Sequence, residues 1–596
     1  MERVVIVFAL IIACSACKHP LKVEGQGSIV ERIYGERGCT WQESNANAPN
    51  CSENAVVDER YLVSYYPVPD PGWRFSHWKG TACNEDSAGD SCEFDVSAEA
   101  VRKIDEGKPD GHEVPPTIAV FVRESSADPQ GLDRDLSNAI TANDITGDPR
   151  KSIPPSPLDP LATLGKKLFF SKSLSANFDV ACASCHHPAL AGGDALSLPI
   201  GIEARRPDVL GQGRVRRGGR PTIARNSPTT FNSGLYEDAL FWDGRVFRLG
   251  EDIVTPDSSS TTTADPRAGD SLLAAQARFP VTAPEEMRSH EFLIGAGNSA
   301  VRRRLAQRIG NYGPGAGELQ GSTWVEEFKA VFGDLPAHQI VTYDNIALAL
   351  ATYQQSQSFV HNPWKAYVEG DLDAISDNAK RGALVFFRQK TLIGFPGASA
   401  SCADCHSGDF FTDERFQTIA FPQIGPGIGK GESTQDDLGH GSLFSTDFQD
   451  YRFRVPSLLN VTRTGPWGHA GSYRNLRDAV EHYAGAEEAI DRYFNRGGWC
   501  QLDQFKDLSN CSSLYPNAEA NTRKALEKLE SDNQRNRGMP PVNLSATEID
   551  QLMAFLRTLT DPCIRKKKCL APWVPKPEDA PDDHQLNAIN ANGNPL

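Results

Sequence analysis

Two patterns of hydrophobic and polar positions divide the chain. From residue 18 to about residue 125, apolar and polar residues alternate and are interrupted by Pro and Gly, as in residues 61–68, which favours a small β-rich module. Residues 126–160 are polar and rich in Pro, a composition typical of a linker. Beyond residue 160, apolar residues recur at helical spacing in six segments, 161–170, 340–360, 380–387, 476–484, 522–529 and 546–559. The pattern therefore predicts a mainly α body behind a β-rich module.

The first seventeen residues have the pattern of an export signal. A charged start precedes an apolar run over residues 4–13, which is too short to span a bilayer but suits a secretory signal. The run ends at Cys14-Ser15-Ala16-Cys17, which resembles a bacterial lipoprotein signal in which Cys14 or Cys17 is lipidated. An ordinary secretory signal is the alternative. We expect a protein of the periplasm or cell envelope, held at the membrane only through an N-terminal lipid anchor.

Composition and charge exclude several classes of protein. Hydrophobic residues make up 39% of the chain and charged residues 23%, values that fit neither a polytopic membrane protein nor a disordered chain. The formal net charge is −16 at pH 7. Because a surface of this sign repels phosphate backbones, we expect no nucleic-acid partner.

The fourteen cysteines fall into three groups. Two belong to the signal, and four lie in C-x-x-C-H motifs. Export permits disulfides among the other eight. Proximity pairs Cys500 with Cys511 and Cys563 with Cys569, whereas the early cysteines, Cys39, Cys51, Cys83 and Cys92, allow three connectivities that the sequence leaves open.

Two C-x-x-C-H motifs carry the strongest chemical signal. They read Cys182-Ala183-Ser184-Cys185-His186 and Cys402-Ala403-Asp404-Cys405-His406, about 220 residues apart. In such a motif, two thiols can bond the vinyl groups of one haem while the histidine ligates the iron. A disulfide oxidoreductase is the alternative, but the strand and helix it requires are not indicated nearby. The motifs predict two covalently bound haem c groups, each in its own domain.

Five other segments extend this signal over most of the chain. They are LGKKLFF at 164–170, RNSPT at 225–229, FWDGR at 241–245, FRVPSLLNV at 453–461 and TGP at 464–466. From about residue 155 to residue 565 the sequence resembles the bacterial dihaem cytochrome c peroxidase family, which includes the MauG maturase. The resemblance implies two cytochrome c-like haem domains.

The resemblance also sets the expected domain boundaries. Residues 1–17 form the signal, 18–125 the cystine-stapled β-rich module and 126–160 the linker. The first, peroxidatic haem domain is expected over 161–339 and the second, electron-transfer haem domain over 340–540. A helix and cystine loop at 541–575 are expected to pack on the first haem domain, and a polar tail follows at 576–596.

At the first haem, the resemblance implies that His186 is the fixed iron ligand and that Glu286 is the catalytic acid and base, with Glu285 as the neighbouring alternative. Typical peroxidases of this family close the opposite face with a histidine until the second haem is reduced. This chain has no histidine between His187 and His290. We therefore expect a first haem that is open without reductive activation.

At the second haem, the resemblance implies His406 as one iron ligand and Tyr483 as the other. Ordinary family members use methionine at the second position, and MauG uses a tyrosine. His482 and Met539 are the alternatives to Tyr483 in this chain.

Between the haems, the resemblance implies a tryptophan that conducts charge, matched here by Trp242. It also implies a calcium ion, because Asn226, Thr464 and Pro466 match the family positions that hold calcium through side-chain and carbonyl oxygens.

The resemblance implies an enzyme that uses hydrogen peroxide, and two fates of its oxidising power remain open. A peroxidase draws electrons from a small c-type cytochrome or copper protein. A MauG-like enzyme oxidises tyrosine or tryptophan residues of a partner protein. A non-enzymatic carrier with two haems and an oxygenase are the remaining alternatives.

Overall fold

The computed structural model describes residues 20–31, 38–52, 61–70, 73–79, 91–96, 116–123, 129–388, 400–429, 434–444, 447–535, 538 and 541–596. The signal residues 1–17 lie outside these ranges. The chain divides into two compact units, Met1–Gly131 and Leu132–Leu596. Across the described ranges, every helix is too short or too polar to cross a membrane.

The N-terminal unit is built from β-strands, as the alternating pattern predicts. A four-stranded antiparallel sheet has the order Gly38–Thr40, Gly27–Glu31, Tyr61–Pro69 and Cys92–Val96. A second sheet places Thr117–Arg123 between the parallel Leu21–Glu24 and the antiparallel Trp73–Lys79. Two short helices, Trp41–Asn45 and Pro49–Ser52, complete the described part of this unit.

Disulfides reinforce the small core of this unit. Cys39 bonds Cys51, which selects one pairing among those that the sequence left open. Cys92 is also in a disulfide, and Cys83 lies outside the described residues. Trp78 and Tyr65 are fully buried in the same core.

The C-terminal unit is mainly α, which confirms the predicted fold class. Its helices are Pro129–Ala142, Pro160–Phe170, Leu272–Gln276, Asn298–Ile309, Trp324–Phe332, Ala337–Ile340, Tyr343–Ser356, Pro363–Val368, Asp377–Phe386, Leu476–Ala484, Ala486–Asn495, Ala518–Gln534, Ala546–Thr558 and Lys567–Leu570. Short strands at Ala239–Leu240, Val246–Leu249 and Asp252–Val254 form one ribbon, and Phe416–Gln417 pairs with Phe453–Arg454 in another. Disulfides Cys500–Cys511 and Cys563–Cys569 confirm the pairings predicted from proximity.

Two helix pairs with the same close contact form the centres of the two haem-motif cores. Pro160–Phe170 crosses Tyr343–Ser356, and Asp377–Phe386 crosses Ala546–Thr558. A Cβ on Gly165 would lie 1.9 Å from the Ala349 carbonyl oxygen, and one on Gly382 would lie 1.8 Å from that of Gln551. Only glycine permits this approach. The helix before each motif therefore has a glycine where it crosses its partner helix, Gly165 before the first motif and Gly382 before the second.

These pairs group the helices differently from the expected domains, whose boundaries stay a prediction. Tyr343–Ser356 was predicted at the start of the second haem domain but belongs to the core around the first motif. The helix Ala546–Thr558 was expected on the first haem domain but packs in the core around the second motif. The cystine loop that follows it does pack near the first motif, with Ile564 beside Phe231. Helical periodicity gives a buried face but not the partner of that face.

Two segments expected to be outside the cores contribute to them. Within the predicted linker, the helix Pro129–Ala142 buries Leu136 in the core around the second motif. Within the predicted polar tail, Leu586 is buried in the core around the first motif and its backbone N–H donates to Phe170. In both segments, isolated apolar residues in a polar context are buried, which composition alone does not reveal.

Candidate haem site

One cavity of about 450 Å³ in the C-terminal unit is lined by both C-x-x-C-H motifs. Cys182 and Cys185 of the first motif and Cys402 and Cys405 of the second motif all line it. None of the four cysteines forms a disulfide. Burial raises the pKa of the Cys182 and Cys402 thiols to about 12. The four motif cysteines are therefore free thiols that face a shared cavity, where they could add to the vinyl groups of haem.

The two motif histidines are oriented as iron ligands. The Nδ1 atom of His186 lies 3.3 Å from the Gly192 carbonyl oxygen, and that of His406 lies 3.1 Å from the Phe411 carbonyl oxygen. A carbonyl accepts a hydrogen bond, so Nδ1 carries the proton and Nε2 retains its lone pair. Metal-bound histidines are held in this way by a carbonyl behind the ring. Both histidines line the cavity, so the residues present fit two haem groups.

His187, which directly follows the first motif, makes contacts away from the cavity lining. The Nδ1 atom of His187 accepts a hydrogen bond from the Ala189 backbone N–H at 3.1 Å, and its ring packs edge-on against Phe170. His187 is buried but is not among the residues that line the cavity.

Glu286 lies on a short π-helical turn, Pro284–Arg288, and lines the cavity. Burial raises the pKa of the Glu286 carboxyl above its usual value of 4.5, and the positive charge of Arg245 offsets only part of this effect. No hydrogen-bond partner of this carboxyl is present in the part of the chain that the structure describes. Glu285, the alternative, points away from the cavity lining and binds the His290 imidazole at 2.6 Å.

Gly201 sets the position of the Glu286 turn. A Cβ at residue 201 would lie 2.4 Å from the carbonyl oxygens of both Glu285 and Glu286. The segment from Leu198 to Glu203, which contains no histidine, is therefore packed directly against the turn that carries Glu286.

At the second motif, the structure distinguishes Tyr483 from His482. Both are on the helix Leu476–Ala484, but only Tyr483 lines the cavity. Burial is the main cause of the raised pKa of the Tyr483 phenol, and the nearby Cys405 and Cys402 thiols contribute to it. His482 is engaged at both ring nitrogens, with Nε2 2.6 Å from the Ile419 carbonyl oxygen and Nδ1 2.8 Å from the Tyr473 hydroxyl. Met539 lies outside the described residues.

Trp242 and Asn226 are linked at the cavity wall. The Trp242 indole N–H donates to the Asn226 carbonyl oxygen at 3.0 Å, and the Arg454 backbone N–H donates to the Trp242 carbonyl at 2.9 Å. The ring lines the cavity, and the hydrogen bond of its N–H restrains its orientation.

The three residues expected to bind calcium, Asn226, Thr464 and Pro466, line the same cavity. The Asn226 amide nitrogen donates to the Leu196 and Ser197 carbonyls at 2.7 and 3.3 Å, which leaves its side-chain oxygen as the atom able to meet a cation. Among the described residues, there is no cluster of three or more His, Cys, Asp or Glu residues that could hold a metal ion.

Sequence reasoning missed a buried charge network behind this wall. The Arg225 guanidinium contacts Asp437 at 2.7 Å and Asp243 at 2.6 Å. Burial opposes ionisation of Asp243, but Arg245 and Arg225 lower its pKa well below the usual range. Arg225 and Arg245 lie in the RNSPT and FWDGR segments, so those segments were the signal that could have identified them.

A cavity that joins two C-x-x-C-H motifs, each with a histidine oriented toward it, defines a c-type cytochrome with two haem sites. The family profile described as di-haem cytochrome c peroxidase matches residues 159–373. The methylamine utilization protein MauG of Methylophilus methylotrophus is 31% identical over 345 residues, which cover 57% of this chain and 77% of that protein. The cytochrome c551 peroxidase of Pseudomonas aeruginosa is 27% identical over 320 residues, which cover 53% of this chain and 69% of that protein.

Among solved structures, the diheme peroxidase BthA from Burkholderia thailandensis matches with a TM-score of 0.42 and 21% identity, covering 74% of this chain and 93% of that chain. The chain belongs to the dihaem cytochrome c peroxidase and MauG family. Membership assigns it two haem c groups and places it among the oxidoreductases that act on peroxide.

Proposed function

We propose that the protein is an exported dihaem peroxidase that reduces hydrogen peroxide at the haem held by Cys182, Cys185 and His186. A second haem, which Cys402, Cys405 and His406 would hold, would supply electrons to this site. The observation that carries the proposal is the single cavity that both motifs share with the Glu286 carboxyl and the Trp242 ring.

The first haem, when bound, supplies the iron at which the peroxide O–O bond is reduced. Glu286 supplies the proton chemistry at that site. Its carboxylate takes the proton from one peroxide oxygen and returns it to the oxygen that leaves as water. Burial in an apolar wall and the absence of a hydrogen-bond partner in the described residues leave this carboxylate basic and available to the substrate.

The second haem is held differently from the first. Tyr483 would be its second protein ligand beside His406, a role supported by the phenol lining the cavity near the second-motif thiols while His482 is engaged elsewhere. An anionic oxygen ligand stabilises higher oxidation states of iron. With Tyr483 as ligand, the second site would favour holding an oxidising equivalent.

Trp242 is the conducting residue between the two sites, and the hydrogen bond from its indole N–H to the Asn226 carbonyl restrains the ring. Calcium would be held by oxygen atoms of Asn226, Thr464 and Pro466, which line the cavity, since a hard cation prefers such ligands. Removal of bound calcium by a chelator is expected to perturb the optical spectra of the haems, and restored calcium to reverse the change.

A MauG-like reaction is the second candidate. It is favoured by Tyr483 and by the segment Leu198 to Glu203, which contains no histidine to close the first haem. In that case, tyrosine or tryptophan residues of a partner protein donate the electrons and are modified. In either case, an N-terminal lipid on Cys14 or Cys17 would hold the enzyme at the cell envelope.

The test uses the full-length, haem-loaded protein with hydrogen peroxide and a reduced small c-type cytochrome or copper protein. Sustained, peroxide-dependent oxidation of the donor supports the peroxidase. Modification of a partner protein, seen by mass spectrometry without donor turnover, supports the MauG-like reaction. Electron paramagnetic resonance of the resting ferric protein that shows two saturated low-spin haems, together with inertness toward peroxide, would leave only an electron carrier.

A further inference from the structure

The segment from Leu198 to Glu203 is fixed at both of its ends. The Leu198 backbone N–H donates to the Gln504 side-chain oxygen at 3.0 Å, and the Gln504 amide donates back to the Leu198 carbonyl at 2.7 Å. At the other end, the Glu203 backbone N–H donates to Asp179 at 2.9 Å. Between these ends, Gly201 is packed against the Glu286 turn at a distance that excludes any Cβ.

A buried arginine fixes the middle of this segment. Arg214 is 1% exposed. Its Nε donates to the Ile200 carbonyl at 2.7 Å and its Nη2 to the Gly201 carbonyl at 3.2 Å. Its Nη1 donates to the Pro207 and Val209 carbonyls at 2.8 and 3.3 Å. The guanidinium thus ties the segment to the loop that follows it.

Burial of the Arg214 guanidinium is unfavourable unless its N–H groups find partners. A buried guanidinium loses its hydration, and such a charge is normally paired with a carboxylate. In the described part of the chain, no carboxylate lies within ion-pair distance of Arg214, and its N–H groups point to carbonyl oxygens. The rigid fork of an arginine can reach several carbonyls at once, which a lysine cannot.

We infer that Arg214 is a positioning residue that holds Leu198 to Glu203 in one conformation and, through Gly201, holds Glu286 in the cavity. This inference rests on the proposed function. It explains how Glu286 keeps its position: the segment packed against its turn is fixed at both ends and in the middle.

The first test needs no substitution. Hydrogen exchange of the haem-loaded wild-type protein is followed by mass spectrometry in the ferric state and after reduction of the second haem. We expect identical exchange in peptides that cover residues 198–203 and 284–288. Faster exchange of these peptides after reduction would overturn the inference. Peroxide turnover of the same sample tests the proposed function separately, so the two can fail independently.

The second test substitutes the arginine. Arg214→Met is expected to increase exchange in both peptides and to lower kcat/KM for peroxide by at least about tenfold, since small misplacements of a catalytic group cost up to about a hundredfold. Arg214→Lys should behave like Arg214→Met, because the fork is lost while the charge stays. Arg205→Met is the matched control, since Arg205 is an exposed arginine on the same loop.

A double variant shows whether Arg214 acts through Glu286. If it does, adding Arg214→Met to Glu286→Gln should lower kcat/KM no further, because the Glu286 carboxylate that Arg214 positions is already absent. Losses that multiply, or wild-type kinetics in Arg214→Lys, would overturn the inference. A variant that is merely less stable would lower the melting temperature without changing kcat/KM for the folded fraction, which would also overturn it.

Discussion

At the scale of single residues, the burial of Glu286 determines how the reaction depends on pH. Burial raises the pKa of this carboxyl above 4.5. Below the raised pKa the group is protonated and cannot accept a proton from peroxide, so kcat/KM should fall as pH decreases through that pKa. Glu286→Gln is expected to remove this acidic limb and to lower kcat/KM by about 10²- to 10⁴-fold. Steady-state kinetics between pH 4 and pH 8 measure both effects.

Glu285→Gln is the control for this prediction. Glu285 has the same charge and lies one residue away, but its carboxylate binds His290 outside the cavity lining. We expect its pH profile to match that of the wild type. Equal losses in the two variants would mean that the charge of the turn, and not the Glu286 carboxylate, assists the reaction.

Tyr483 can be tested by spectroscopy alone. Because the phenol lines the cavity beside the second-motif thiols, Tyr483→Phe should change the optical and paramagnetic spectra of one haem and leave those of the other unchanged. The control is Tyr473→Phe, which removes a hydroxyl that donates to His482. Spectra that are unchanged in Tyr483→Phe, or a change of equal size in the control, would contradict ligation by Tyr483.

At the scale of secondary-structure elements, the close helix crossings make a prediction about stability. In Gly382→Ala, the new methyl group would overlap the Gln551 carbonyl, so the helices Asp377–Phe386 and Ala546–Thr558 must separate. We expect the free energy of unfolding to fall by at least about 1–3 kcal/mol, the usual cost of overpacking. Thermal unfolding measures this loss. The exposed Arg381→Ala on the same helix should change stability by less than about 0.5 kcal/mol.

The same elements show how much of the fold the sequence predicts. The helix predicted over 476–484 is present at those bounds, and the one predicted over 546–559 ends one residue earlier. The latter begins at the predicted residue, where a capping box between Ser545 and Glu548 fixes its start. The helix Asn298–Ile309 was not predicted. Its residues are mostly polar, and the buried Arg302 and Arg308 contribute to its inner face, so hydrophobic spacing does not mark it.

The site was predictable only in part, for a related reason. The C-x-x-C-H motifs are local, so the chemistry of haem attachment can be read from the sequence. The hydrogen bonds that orient the site are not local: Arg225 contacts Asp437, and Leu198 contacts Gln504. Such pairings depend on how distant segments pack, which residue spacing does not encode.

At the scale of the whole molecule, the shared cavity joins two cores that are formed by distant parts of the chain. The first core includes Tyr343–Ser356 and residues near the C-terminus, and the second includes Ala546–Thr558 and the helix Pro129–Ala142. Trp242 and Trp467 both line the cavity between these cores, and the indole N–H of each donates to a backbone carbonyl, at 3.0 and 2.9 Å respectively. They form a matched pair for a test of conduction.

If Trp242 conducts between the sites, Trp242→Phe should leave the initial reaction with peroxide unchanged, because Glu286 and His186 are untouched. Oxidation of the second haem after one equivalent of peroxide should slow by at least about tenfold, which corresponds to about 1.4 kcal/mol in the barrier. Stopped-flow spectroscopy follows the two phases separately. Trp467→Phe removes an equal ring from the same cavity and should retain the wild-type rate. Equal slowing in both variants would indicate that the packing of the cavity, and not the ring of Trp242, determines the rate of transfer.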